Sequence, residues 1–312
     1  MVNQIEIKDL TKRFGNHLVL DNISLSIPQQ KIFGIIGESG SGKTTLLKTV
    51  IGFWRIDKGD ILFEGKSLEK NSKFIRQIVG FATQDNCVYP KLTVKENLDY
   101  FGALNNVPKN TLVHNIEKVL NFVELEDAKN ELAENLSGGM QRRLDIACAL
   151  VHNPRILILD EPTEDLDPLL RRDILRLIRK INADQTTVII TSHLLDETDE
   201  LCDEIAVLHQ GRLLKVGTSN QLKDSFSKEE EIILVLQSRK YTSIVNKLKS
   251  HKKKVTNVQV KDGKLLVHTK NAEAVLKEIL TTVEHSRDKI VEINVRKASL
   301  SEVFESLVKK GG

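Results

Sequence analysis

The chain has no apolar run near the roughly 18 residues needed to cross a bilayer. Its first residues, Met1-Val2-Asn3-Gln4, lack the charged segment and apolar stretch that mark a secretory signal. Cysteine is scarce: Cys87, Cys148 and Cys202 are odd in number and widely spaced, without metal-ligand spacing. That pattern suits a reducing compartment rather than a disulfide framework. These absences point to a soluble, cytosolic chain. At 312 residues and 40% hydrophobic, it is long enough for one large domain and a small one.

The net charge of +3 conceals two parts of opposite sign. From Ser225 onward there are 18 Lys/Arg against 11 Asp/Glu, whereas the remainder carries 28 against 32. A boundary is therefore expected at Lys223-Asp224-Ser225-Phe226-Ser227-Lys228, dividing 1–224 from 225–312. A basic tail can be a solvated face, or can meet nucleic acid, anionic lipid or an acidic protein surface.

The first motif with chemistry in it follows Lys31-Ile32-Phe33-Gly34-Ile35-Ile36, an apolar run expected to be a buried strand. That run enters Gly37-Glu38-Ser39-Gly40-Ser41-Gly42-Lys43-Thr44-Thr45, after which the residues through Ile51 read as a helix. A strand, a glycine-rich loop and a helix in this order form a phosphate-binding loop. Its glycines let backbone N–H groups point at phosphates, and the helix N-terminus adds a favourable dipole. Lys43 can reach the β- and γ-phosphates and Thr44 can ligate Mg²⁺. A second apolar strand, Ile156-Leu157-Ile158-Leu159, ends in Asp160 and Glu161. Asp160 suits Mg²⁺ coordination, and Glu161 suits the general base or the orientation of an attacking water.

A third element, Leu136-Ser137-Gly138-Gly139-Met140-Gln141, opens an expected helix from Gln141 to Val151 with Ser137 as its N-cap. Lying 23 residues before Asp160, it resembles the signature motif of ABC-type ATPases. The resemblance extends over about residues 4 to 220. It implies that Ser137, Gly138 and Gly139 contact ATP held by a second copy, so that the site forms only across a dimer. Phe14 looks like the aromatic that stacks on adenine, a sequence-tolerant contact. Gln84 resembles the glutamine that senses Mg²⁺ and the attacking water. The resemblance also implies that residues 85–93, with Tyr89, Pro90 and Leu92, touch a membrane permease. His193 resembles the switch histidine on the γ-phosphate. Two features depart from the pattern. Met140 stands where many members carry Gln. Glu164-Asp165 replaces a small residue and Gly in the loop that crosses the dimer, where Asp tolerates positive φ but adds negative charge near phosphates.

Beyond Ser225 the order strand (Glu231–Gln237), helix (Tyr241–Ser250), strands (Val255–Val260, Lys264–Thr269), helix (Ala272–Val283), strand (Ile290–Val295) predicts a ferredoxin-like domain. Asp262-Gly263 between alternating runs is a hairpin signal, and Ser299-Leu300-Ser301-Glu302 is a capping-box pattern. The ending Ala298-Ser299-Leu300-Ser301-Glu302-Val303-Phe304 resembles ATP-binding subunits of the drug, antibiotic and sodium efflux branch. Its expected role is to stabilise or regulate the dimer, with Lys252-Lys253-Lys254 as a possible membrane contact.

Together these features imply an α/β fold: a P-loop NTPase core of ABC-ATPase type, a helical subdomain near 85–150 and a small α+β tail. The function implied is an ATPase using ATP and Mg²⁺ in a head-to-tail homodimer. It would drive a separate permease, for export, from the inner face of the cell membrane, without specific nucleic acid. The alternative is a soluble ABC-type ATPase acting on ribosomes or DNA.

Overall fold

Alternating apolar and polar residues make the first two strands a hairpin: β1 (Asn3–Phe14) and β2 (His17–Pro28) pair antiparallel. With β4 (Lys58–Phe63) and β5 (Lys66–Ser67) they form a four-stranded sheet in the order β2-β1-β4-β5. The computed structural model describes residues 3–226, 230–250, 255–286, 288–297 and 299–311. Met1-Val2, Ser227-Lys228, Lys252-Lys253-Lys254 and Ala298, each used in the sequence reading, lie outside the described residues.

The second sheet is built differently. β3 (Ile32–Ile36), β7 (Ile156–Leu159) and β8 (Thr187–Ser192) are buried at every position, as strands covered on both faces must be. With β6 (Val79–Ala82), β9 (Glu204–His209) and β10 (Arg212–Gly217) they give the order β10-β9-β3-β8-β7-β6. All neighbours run parallel except β10, which closes the edge antiparallel. The C-terminal ends of β3, β8, β7 and β6 therefore lie along one edge, where open α/β sheets bind ligands. The connecting helices are α1 (Lys43–Val50), α2 (Ser72–Ile78), α6 (Pro168–Ala183) and α7 (Leu195–Leu201). One apolar cluster, with Leu10, Ile23, Phe33, Leu46, Phe63 and Ile158, joins both sheets.

Between β6 and β7 the chain forms α3 (Val94–Leu104), α4 (Lys109–Val123) and α5 (Gly138–Leu150), within the span expected for a helical subdomain. Thr93 and Glu96 close a capping box at the start of α3. α5 begins three residues before the expected Gln141, because Ser137 Oγ accepts from the Met140 N–H (3.3 Å) and starts the helix at Gly138. The segment 85–93 has no helix or strand of its own. It is fastened by Asn97, which is fully buried. The Asn97 Oδ1 accepts from Tyr89 N (2.7 Å), and its Nδ2 donates to the carbonyls of Tyr89, Leu92 and Thr93 (3.1, 3.3 and 3.0 Å).

The chain divides into two compact units, Met1–Thr218 and Ser219–Gly312. In the second, α8 (Ser219–Phe226) precedes β11 (Glu230–Leu236), α9 (Thr242–Ser250), β12 (Val255–Lys261), β13 (Lys264–Thr269), α10 (Ala272–Ser286), β14 (Ile290–Lys297) and α11 (Leu300–Gly311). The antiparallel order β12-β13-β11-β14 is that of a ferredoxin-like sheet. Asp262 (φ +50°) and Gly263 (φ +73°) make the β12–β13 turn, both left-handed as a type I′ hairpin requires. Ser299 and Glu302 form the capping box of α11. The division falls before α8, six residues ahead of the charge shift. α8 packs on α11, Leu222 is fully buried, and Asp224 pairs with Lys297 (2.8 Å).

Replacing Asn97 with Ala takes the side-chain acceptor from the Tyr89 N–H and the second donor from the carbonyls of Tyr89, Leu92 and Thr93, which keep their backbone partners. The expected loss is about 2–4 kcal/mol of unfolding free energy, measured by urea denaturation.

Candidate nucleotide-binding site

The loop between β3 and α1 is shaped by two glycines. A Cβ on Gly37 would sit 2.4 Å from both the Leu208 carbonyl and Ser41 Oγ. Gly42, the N-cap of α1, lies at φ +106°, where side chains are strained. The turn turns the first N–H groups of α1 outward with no helical acceptor. Lys43 folds back beneath the loop, donating from Nζ to the carbonyls of Gly37 (2.9 Å) and Glu38 (3.2 Å). Ser41 Oγ is buried and has no hydrogen-bond partner.

A cleft of about 370 Å³ opens over this loop, lined by Ser39, Gly40, Gly42, Lys43, Thr44 and Thr45 from one side. Gln84, Glu161, Glu164 and His193 line it from the other. Lys43 and Glu161 are both buried and form an ion pair (Nζ–Oε1, 3.1 Å). The second Glu161 oxygen accepts from the His193 N–H (3.2 Å) and lies 3.0 Å from His193 Nδ1. Asp160 lies beneath the cleft floor, 1% exposed, and accepts from Thr191 Oγ1 at 2.6 Å. Four strand ends thus supply Lys43, Gln84, Glu161 and His193 to one space, as the parallel register of the sheet dictates. The donor set suits a polyphosphate and a divalent cation: turned-out N–H groups, a buried ammonium, a hydroxyl at Thr44 and the carboxylates of Asp160 and Glu161.

Two predicted groups stand elsewhere. Phe14, at the end of β1, is 39% exposed and packs edge-on against Trp54 with ring centres 5.1 Å apart. Ser137, Gly138 and Gly139 begin α5 and do not line this cleft. A Cβ at Gly138 would meet open space, whereas one at Gly139 would press on Leu170.

Two residues at the site escaped the sequence reading. Thr191 donates to Asp160 and accepts the Glu161 N–H (2.9 Å). It helps hold Glu161 at φ +47°, a conformation rare for a residue with a side chain. Arg142, 5% exposed on α5, donates to the carbonyls of Thr83 (2.7 Å), Pro162 (2.9 Å), Asp160 and Glu161 (both 3.2 Å). It also pairs with buried Asp145 (3.2 Å), whose other oxygen accepts the Cys87 N–H (3.1 Å). Burial pushes the Asp145 pKa up to about 6, against the pull of the Cys87 N–H and the Arg142 charge. The signal available was an Arg and an Asp three apart at the head of an apolar stretch, Ile146 to Leu150. Asp165, in the position read as a glycine substitute, does adopt positive φ (+57°).

Comparison with known proteins accords with this geometry. Residues 20–164 match the ABC transporter family model, and residues 217–308 match the C-terminal domain of DrrA1-3-like ATP-binding proteins. The chain is 29% identical over 304 residues to the linearmycin resistance ATP-binding protein LnrL of Bacillus subtilis, covering 97% of each. It is 35% identical over 224 residues to the Nod factor export ATP-binding protein I of Burkholderia lata, covering 72% of this chain and 74% of that one. Among solved structures, cbiO1 of Clostridium perfringens, part of the cbiONQ ABC transporter complex, superposes with a TM-score of 0.67 at 27% identity. That match covers 72% of this chain and 92% of the other. No described helix is long and apolar enough to cross a membrane. The cleft, the fold around it and these likenesses place the chain in the family of ABC transporter ATP-binding proteins, whose ATP-binding domain hydrolyses ATP to power transport.

Proposed function

We propose that the chain binds ATP with Mg²⁺, hydrolyses it in a head-to-tail dimer of two copies, and so drives a separate membrane permease that exports its cargo. The observation that carries this reading is the Lys43–Glu161 ion pair in the cleft. An ammonium held under a phosphate loop has a carboxylate partner only until a phosphate takes its place. Phosphate binding at Lys43 then releases Glu161 to accept a proton from water, with His193 at its other oxygen. Thr44, Gln84 and Asp160 are the residues that would hold Mg²⁺, which when bound would neutralise charge on the phosphate oxygens. Phe14, exposed at the end of β1, offers a face for adenine.

A partner copy is part of this reading because Ser137–Gly139 does not line the chain's own cleft. These residues present an open helix start, suited to phosphate held by another subunit. For the permease we assign residues 85–93. Tyr89 is 45% exposed, and its hydroxyl meets that of Tyr100 (3.1 Å). Beside them lies an open groove of about 380 Å³ lined by Phe81, Cys87, Phe101 and Leu104. Contact there would keep the chain at the inner face of the membrane. Export follows the drug-resistance and Nod factor relatives, and their names carry it no further than direction.

The second unit is assigned to stabilising or regulating that dimer. β14 is an edge strand, and Val291, Ile293 and Val295 are 66%, 38% and 40% exposed along it. An aliphatic sheet edge of this kind calls for a covering partner.

Glu161→Gln keeps the shape of the site and removes the base. ATP binding should persist while steady-state turnover falls about 100-fold or more. Survival of turnover in that variant would move the base elsewhere. Lys43→Ala should weaken ATP binding by about tenfold or more, read by titration calorimetry. Deleting residues 219–312 should lower dimerisation, followed by ultracentrifugation, or the ATPase rate in the presence of permease. If both stay at the full-length level, the tail has another task.

A further inference from the structure

We propose that Glu164 is a positioning residue for Gln84, selecting the orientation in which the Gln84 carbonyl oxygen is offered to the divalent cation. This rests on the nucleotide-site reading above. The Gln84 Nε2 donates to Glu164 Oε2 at 2.6 Å, and both side chains line the cleft beside Lys43 and Thr44. A carboxylate can only accept, so its partner must be the amide nitrogen, and Oε1 is left for other groups. Without that contact the two ends of the amide are nearly equivalent in shape, and half of its orientations would present N–H groups to a cation.

Glu164 is aimed by its own loop. Its N–H donates to the Glu161 carbonyl (3.2 Å), and left-handed Asp165 reverses the chain directly after it. Gln84 is steadied from behind as well, because the carbonyl of the preceding Thr83 accepts from Arg142 (2.7 Å). The two acids of the cleft therefore have different tasks. Glu161 is engaged by Lys43 and His193, while Glu164 turns to Gln84. A small side chain at 164 has no group that reaches Gln84. Glu164 also adds negative charge beside the phosphate loop, so binding of bare ATP is opposed until a cation offsets it.

The two contributions separate in two variants of the full chain. Glu164→Gln removes the charge and keeps an acceptor for the Gln84 amide, but its own NH2 can also donate to the Gln84 carbonyl, so it selects the orientation only in part. Glu164→Ala removes both. Binding of a nonhydrolysable ATP analogue is measured by calorimetry, first in EDTA and then across a Mg²⁺ titration. In EDTA both variants should bind the analogue more tightly than the parent chain, by about threefold. The Mg²⁺ midpoint should rise about fivefold in Glu164→Ala, the factor carried by one hydrogen bond of ordinary net strength, and by clearly less in Glu164→Gln, which keeps the contact in one of its two orientations. Equal Mg²⁺ midpoints in all three chains overturn the proposal. So does an equal shift in both variants, which would make Glu164 a charge alone. Lys43→Ala measured alongside separates the two levels. If it binds the analogue as the parent chain does, the nucleotide site itself is misplaced. If it loses binding while Glu164→Ala leaves the midpoint unmoved, only the role of Glu164 falls.

Discussion

The geometry of the nucleotide edge depends on one buried guanidinium. Arg142 reaches from α5 to the carbonyls of Thr83, Asp160, Glu161 and Pro162, and so ties the exits of β6 and β7 to a helix of the inserted subdomain. A rigid, planar fork with five donors can serve this many acceptors at once, and an ammonium on a flexible stem cannot. Burial lowers the pKa of this group, and the charges of Asp145 and Asp160 oppose that only in part. The cation stays charged because the acids around it are part of the same cluster. Through it, displacement of α5 or of the loop at Cys87 is felt at the backbone of Glu161.

The ion pair of Lys43 and Glu161 is the second constraint. Two charges withdrawn from water are tolerable only as long as each has the other or a substitute. The cleft thus holds Glu161 neutralised by Lys43, the lysine of the phosphate loop. On the proposed reading, phosphate entry and release of that carboxylate would be one event, with no added moving part. The positive φ of Glu161 places its carboxylate where both Lys43 and His193 can meet it.

The phosphate loop, both buried strands and the ferredoxin-like order were legible because each is written in consecutive residues. Gly37 to Thr45 needs no distant partner to be recognised, and Asp262-Gly263 announces its hairpin locally. Arg142 was not legible, since its acceptors are backbone carbonyls, which carry no residue identity and lie 18 to 20 residues ahead or 59 behind. Asn97 escaped for the same reason. The division between the two units falls one short helix ahead of the charge shift, because charge marks the surface, while α8 packs on α11 and its Leu222 is fully buried. Glu164 was seen as an intruding charge. Only the fold reveals that its carboxylate meets the amide of Gln84, 80 residues earlier in the chain.

The bare rim of β14 has a bearing on how the protein behaves in solution. A sheet edge that pairs with no further strand among the described residues and carries four exposed aliphatic residues is a template for adding further strands, whatever their source. If a second copy covers that rim, as proposed, then dilution that separates the copies would leave the rim open to edge-on pairing, and concentration would bear on solubility as well as on assembly.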